Sequence, residues 1–360
     1  MVRRTLTAAV VAALAVALAP APADAERRAG HIADGRLGDW RGKPTHLAGR
    51  WQVSRGELIY TDYLYDDYGP DVNGRPDQPA FRANLAPTNG DYRYPDDAAR
   101  YGHNAADLRE LRIAADGRSL HLLIALQTMK VADAAAAIVA LDTDGRAETG
   151  AAQWPDGAGI RTPGADRFVT VWGTGGHLAG SDGRATPVKV AANLEANAIE
   201  VEVPLAALGE VRRGARVWAG VGLAKAGGGG FAPQDGPTAL FNVAFRGHWG
   251  EHEQSQALAR ADVAPFAAEL DLAALRRRRT IPFELVPGFY NRVFRSRYDY
   301  GEGIELKQET VGGTPAPMFL SRWQPYGLYV PRGYDRSRPA QLLLNGHSLD
   351  VNHNEYRTAS

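Results

Sequence analysis

From about Arg36 to Arg246 the chain is a series of strand-length apolar runs, each closed by a cluster of Gly, Pro, Asp or Asn. Asn197–Pro204, NAIEVEVP, alternates without a break, with Ile199, Val201 and Val203 on one side and Glu200 and Glu202 on the other. Successive side chains of an extended chain leave from opposite faces, so this run is a half-buried strand. The stretch LRELRIAADGRSLHLLIALQT carries two strands around a turn at Ala115–Arg118. The second of them, Leu120–Leu126, is apolar on both faces and reads as central in its sheet. Further strands are expected at 136–142, 166–173, 216–224 and 239–246, with GGGG at 227–230 as a loop. Many short strands with turn punctuation and little helix predict a mainly β protein built as an antiparallel β-sandwich.

The ends of the chain have a different texture. Arg3 and Arg4 precede the apolar run AAVVAALAVALA at 8–19, followed by PAPADA. A basic start, a short apolar stretch and an A-x-A site are the marks of a signal peptide, here cut after Ala25. The run is shorter than the ~20 residues that span a bilayer. The expectation is therefore a secreted protein with no membrane segment. It has no cysteine, so stability outside the cell must come from its core and from bound ions. Basic and acidic residues balance at 41 each, which argues against nucleic acid as a partner. The one dense basic patch, Arg276–Arg279, reads as a solvated helix end.

Segment 262–279, DVAPFAAELDLAALRRRR, spaces Phe266, Leu270, Leu272, Ala273 and Leu275 as a helix would, with Pro265 in the first turn. A linker helix over 261–280 is the expectation. A second domain then begins at Ile281, with strands at YGLYV (326–330) and a short buried strand at QLLL (341–344). The stretch 281–360 is shorter than a complete α/β catalytic domain.

The segment YGLYVPRGYDRSRPAQLLLNGHSLDVNHNEY, 326–356, resembles the opening of secreted α/β-hydrolases of the esterase and prolyl-oligopeptidase type. There a strand ending in Y-x-P, then G-Y-D and a Pro, lead into a strand and an H-G or H-S loop. The resemblance implies that His347 and Ser348 are that pair. The backbone N–H of Leu349 would then donate to the oxyanion of a tetrahedral intermediate. Asp350 stands where that family favours Gly, and Asn345-Gly346 stands where it keeps apolar strand. Two other readings remain. Gly346–Asp350 differs by one residue from the nucleophile turn G-x-S-x-G, and the loop could also be purely structural. No G-x-S-x-G occurs in the chain, and His353 follows too soon to be a triad base. The expected chain is thus the N-terminal part of a serine hydrolase, truncated before its nucleophile and not competent alone. Ester or peptide substrates would belong to the complete parent.

Residues 30–260 resemble the carbohydrate-binding-like, DOMON-like module found at the C-terminus of glucodextranases. The resemblance rests on Asp66-Asp67-Tyr68-Gly69-Pro70, Tyr94-Pro95, Asp107-Leu108, the opening DGRLGDW, and NAIEVEVPLAAL. An insertion, DVNGRPDQPAFRANLA, separates DDYGP from the Tyr-Pro segment. Asp66, Asp67, Asp71 and Asn73 bring four oxygen side chains within eight residues, a set suited to a structural Ca²⁺. A solvated acidic loop is the other reading, and Asp142 with Asp144 in LDTDG forms a second acidic pair. Sugar rings stack on exposed aromatic faces, so Tyr63, Tyr65 and Tyr68, beside Tyr60, together with Trp154 are candidates for a polysaccharide or cell-wall platform. The tyrosines serve equally well as a core lid. Trp172 and Trp218 sit in strand patterns and read as core. His248 and His252 are four residues apart, but HWGEHE lacks the order of a zinc-binding helix. Three functions follow: part of a secreted serine hydrolase, a non-catalytic polysaccharide-binding module, or a structural module that shields a hydrolase site.

Overall fold

A computed structural model describes residues 30–72, 90–102, 104–247, 251–301, 304–307, 316–319, 321–346 and 353, with backbone alone for 251–252, 304–307 and 316–319. The protein is mainly β, and its sheets are antiparallel. In chain order the strands are β1 (Arg50–Ser54), β2 (Glu57–Thr61), β3 (Leu108–Ala115), β4 (Ser119–Leu126), β5 (Ala135–Asp142), β6 (Ala151–Gln153), β7 (Arg161–Ala165), β8 (Arg167–Trp172), β9 (Gly175–Gly180) and β10 (Ala185–Pro187). They continue with β11 (Lys189–Asn193), β12 (Ala198–Pro204), β13 (Arg216–Leu223), β14 (Leu240–Val243), β15 (Ala268–Glu269), β16 (Gly288–Arg295), β17 (Ile304–Lys307), β18 (Ala316–Phe319) and β19 (Trp323–Val330). Among the described residues four short α-helices intervene, α1 (Ala98–Tyr101), α2 (Leu205–Leu208), α3 (Glu251–Ala259) and α4 (Leu272–Arg276), besides a 3-10 turn at Leu37–Asp39.

One sheet has the order β1-β2-β3-β4-β12-β11, the other β10-β9-β8-β5-β13-β14 with β15 paired to β13. Alternation assigns the faces. Leu111, Ile113, Leu122, Ile124, Ile199 and Val201 of the first sheet share one buried cluster with Val139, Leu141, Val169, Val171, Val217 and Val221 of the second. Burying side chains of this size contributes about 1.5–3 kcal/mol each before the chain entropy is counted. The second sheet is buried on its other face too. There Ile138, Phe168, Trp218 and Leu240 pack with Trp154, Leu258 and Phe266 from the β6–β7 hairpin, α3 and the loop after it. That double burial is why β5 is buried at every position and apolar up to Asp142, whose carboxylate Arg216 pairs at 2.7 Å. The outer face of the first sheet is roofed by residues 31–42. Glu200 points to that side as its alternation requires, yet it is buried, accepting from Trp40 Nε1 at 2.8 Å and Gly35 N at 2.7 Å. On β2, Glu57 accepts from the backbone N–H groups of Arg41 and Gly42 and pairs with Arg112 at 2.9 Å, which pins the same segment.

The turn between β3 and β4 is clamped by Asp116, whose Oδ1 accepts from Arg118 N at 2.7 Å and Ser119 N at 2.8 Å. Three expected elements differ. The 239–246 strand stops at Val243, because Phe245 takes a left-handed φ of 59° and turns Arg246 inward. No linker helix spans 261–280. Ala268–Glu269 pairs with β13 instead, and Asp271 caps α4 by accepting from Ala274 N at 2.9 Å. The apolar residues of this segment therefore close the core, with Leu270 and Leu275 each 3% exposed or less. The QLLL segment is neither paired nor buried: Leu342, Leu343 and Leu344 are 79%, 81% and 83% exposed. Their backbone has no strand partner among the described residues.

The described residues from His31 onward belong to one compact unit. The chain after α4 runs back along β1, with Val53 and Ile281 bridging, and then makes the antiparallel ribbon β16–β19. No helix among the described residues is long and apolar enough to cross a membrane.

Candidate functional site

The most charged interior of the protein lies where β2 ends and β3 begins. Asp62, Asp66, Asp67 and Asp107 are all fully buried, as is Arg246. Leaving β2, the chain passes through Tyr65 at φ 62°, a conformation that disfavours side chains of this bulk. The structure holds it there by a bond from Tyr65 N to Asp107 Oδ2 at 2.7 Å. Asp62 Oδ1 accepts from Tyr60 Oη at 2.6 Å, Tyr63 N at 2.9 Å and Arg246 Nη2 at 2.6 Å. The same Nη2 bonds Asp66, whose Oδ1 also accepts from Asn242 Nδ2 at 2.6 Å. The Arg246 guanidinium rests over the ring of Tyr63, 4.7 Å from its centroid.

The second half of the cluster has no cation of its own among these partners. Asp67 accepts from Tyr94 Oη and, at 2.9 Å, from Asn104 Nδ2. Burial pushes the Asp67 carboxyl up to about 6, opposed by those two hydrogen bonds. Asp107 is raised well above the usual carboxylate range by burial first and then by repulsion from Asp67 and Asp66. Burial raises Asp62 also, against the pull of Arg246. Burial works against charge on Arg246, but Asp62 and Asp66 outweigh it and keep the guanidinium charged.

These positions revise the expected roles. Tyr63, Tyr65 and Trp154 are 8%, 0% and 2% exposed, so none presents a free face for a sugar. Trp154 spends its Nε1 on Thr162 Oγ1 at 2.6 Å inside the outer core. Tyr68 is half-buried, with Arg93 over its ring. Asp66 and Asp67 do not converge with Asp71: they are turned into the two halves of the buried cluster, while Asp71 donates its backbone N–H to Ser255 O. The loop is not solvated either, because α3 covers it, with Gln254 Nε2 donating to Asp66 O at 2.7 Å. Asn73 with the rest of the insertion beyond Val72, and the expected oxyanion loop His347, Ser348 and Leu349, lie outside the described residues, as does His248.

Two other groupings bear polar side chains. Asp142, Asp144 and Asp166 offer oxygens within 4.8 Å of one another. Each is already engaged: Asp142 by Arg216 at 2.7 Å, Asp144 by Thr149, Asp166 by Thr143. The other is at the rim of the second sheet. His177 Nε2 meets Asp156 Oδ2 at 2.8 Å beside Trp172, which is half-buried rather than fully in the core. Gly228 of the GGGG loop lies on that indole so closely that a Cβ would collide with it. No protein-family model matches the chain, and no curated protein matches it either.

The residues missed from the sequence are Arg246, Asn104, Asn242 and Gln254. A buried arginine has no local signature. Asp107 alone could have been found, since an acid immediately before an apolar strand is conspicuous. Chemically, the cluster can fix a loop or hold a cation; none of its members is an activated nucleophile.

Proposed function

We propose that residues 31–280 are a non-catalytic β-sandwich module that braces the opening strands of a secreted serine hydrolase of the esterase or prolyl-oligopeptidase type. The observation that carries this reading is the junction at Tyr65. Its hydroxyl meets Ser321 Oγ at 2.8 Å and accepts from Gln127 Nε2 at 3.1 Å, and Gln127 also bonds Ser321. Ser321 lies two residues before β19, the strand that leads into the hydrolase-like segment. Arg109 lies over Trp323 of the same strand, 4.3 Å from its ring, a contact worth about 1–2 kcal/mol when shielded from water. The tyrosine loop thus serves as a dock for the downstream ribbon, which accounts for its burial.

Two readouts test the proposal. Ser321→Ala should speed tryptic cutting at Arg292, Arg295 and Arg322 several-fold while leaving cutting at Arg184 unchanged; an unaltered ribbon would remove the bracing role. Purified 26–360 should not turn over a p-nitrophenyl ester. Turnover that disappears in Ser348→Ala would instead make Gly346–Asp350 a nucleophile turn.

A second reading, polysaccharide binding, is favoured by Trp172. An indole with partial exposure beside an Asp–His pair and a glycine loop has the mixture of apolar face and polar groups that sugars require. Migration in native gels containing soluble polysaccharide should be retarded in the wild type and restored in Trp172→Ala. Equal migration of both with and without polysaccharide would dismiss this reading.

A further inference from the structure

The buried cluster holds four carboxylates, and its one fully buried arginine bonds only two of them. Among the described residues the donors to Asp67 and Asp107 are neutral: Tyr94 Oη and Asn104 Nδ2 on the first, Tyr65 N on the second. Taking an ionised carboxylate out of water without a counter-charge is strongly unfavourable. Moreover, two oxygens in this corner, Asp107 Oδ1 and Asn104 Oδ1, are buried with no hydrogen-bond partner among the described residues. Asn104 is fully buried. Its amide is held against Asp67 through Nδ2, which leaves Oδ1 as the group that wants a partner. The turn in which Asp107 N donates to Asn104 O at 3.3 Å keeps the two side chains on adjoining positions of one loop.

From these atoms we propose that Asp67, Asn104 and Asp107 form the protein side of a buried site for a hard divalent cation, with Ca²⁺ as its natural occupant. The chemistry is that of an all-oxygen donor set with excess negative charge, which is what Ca²⁺ takes and what softer metals do not prefer. The rival occupant is a proton on one of the two carboxyls. A proton would cancel one charge, but it serves a single oxygen, whereas the corner offers oxygens from three side chains. The site differs from the acidic triad Asp142–Asp144–Asp166, whose carboxylates are matched with Arg216, Thr149 and Thr143. It does not depend on what the downstream strands do.

The test uses the whole chain after exhaustive dialysis against a chelator. Ca²⁺ at a hundredfold excess over its Kd should raise the melting temperature by about 5 °C. Tb³⁺ should bind in its place and luminesce on tyrosine excitation, because Tyr94 touches Asp67. Asp107→Asn should abolish both signals, and Asn104→Asp should keep them, since it exchanges one oxygen ligand for another. No Ca²⁺ shift at millimolar concentration, together with an Asp107→Asn protein at least as stable as the wild type, would assign the corner to a proton and overturn the proposal. A shift that survives Asp107→Asn would locate the ion elsewhere and overturn it equally. If Asp107→Asn fails to fold, the metal content of the undialysed wild type and its Tb³⁺ luminescence still decide: no bound divalent ion and no sensitised emission would end the proposal.

Discussion

Arg246→Met should cost the protein about 3–5 kcal/mol, the loss typical of removing one partner from a buried ion pair. Arg246 is enclosed, it touches two buried carboxylates, and its guanidinium lies over the ring of Tyr63. Methionine fills a similar volume, so the loss comes from the charges left behind rather than from a cavity. Adding Asp62→Asn and Asp66→Asn to the same chain should therefore restore most of the stability, even though two more residues have changed. Urea unfolding of the single and triple variants makes the comparison. A single variant within about 1 kcal/mol of the wild type would mean that Asp62 and Asp66 carry no net charge in the folded protein. A triple variant no better than the single would mean that the hydrogen-bond geometry, not the charge, is what Arg246 supplies.

Tyr65→Ala should be of similar size, about 3–5 kcal/mol, for a different reason. The ring is fully buried in a small cluster with Ala48, Tyr63, Leu64 and Val293, so truncation opens a cavity. It also leaves Ser321 and Gln127 without a shared partner in the interior. Because Val293 belongs to the ribbon, the damage should spread there first: hydrogen exchange should rise in 288–295 and 323–330 before it rises in β4 or β5. Tyr65→Phe keeps the ring and loses only the hydroxyl, so it should retain the greater part of the stability, with exchange raised near Ser321 alone. Uniform loss of protection across both sheets in Tyr65→Ala would mean that the loop supports the core and not the ribbon.

How much of this was legible beforehand depends on the range of the interaction concerned. NAIEVEVP declared its faces because alternation is local, and β4 declared its place between β3 and β12 because Leu120–Leu126 is apolar on both faces. The turn at Asp116 was readable for the same reason. By contrast, Asp66 and Asp67 looked like hydrated ligands because their partners are far along the chain: Arg246, Asn242 and Asn104 share no spacing with them. Tyr63, Tyr65 and Trp154 were ambiguous in principle, since an aromatic residue in a polar loop can face water or plug a core, and only the fold decides. The 262–279 segment has helical spacing, yet a free edge beside β13 and a capping Asp271 were stronger than the period. QLLL is apolar enough for a strand, but a strand also needs a neighbour, which a one-dimensional pattern does not supply.

The pairing of Arg246 with Asp62 joins residues 184 positions apart. A growing chain reaches its four acids well before it reaches their counter-charge, so Asp62 and Asp66 must stay hydrated until β14 has been made. Contacts of such long sequence separation close late and slow the search for the native state. The strands of the first sheet are all made by Pro204, so the loop after β2 is the part of that sheet whose closure waits on Arg246.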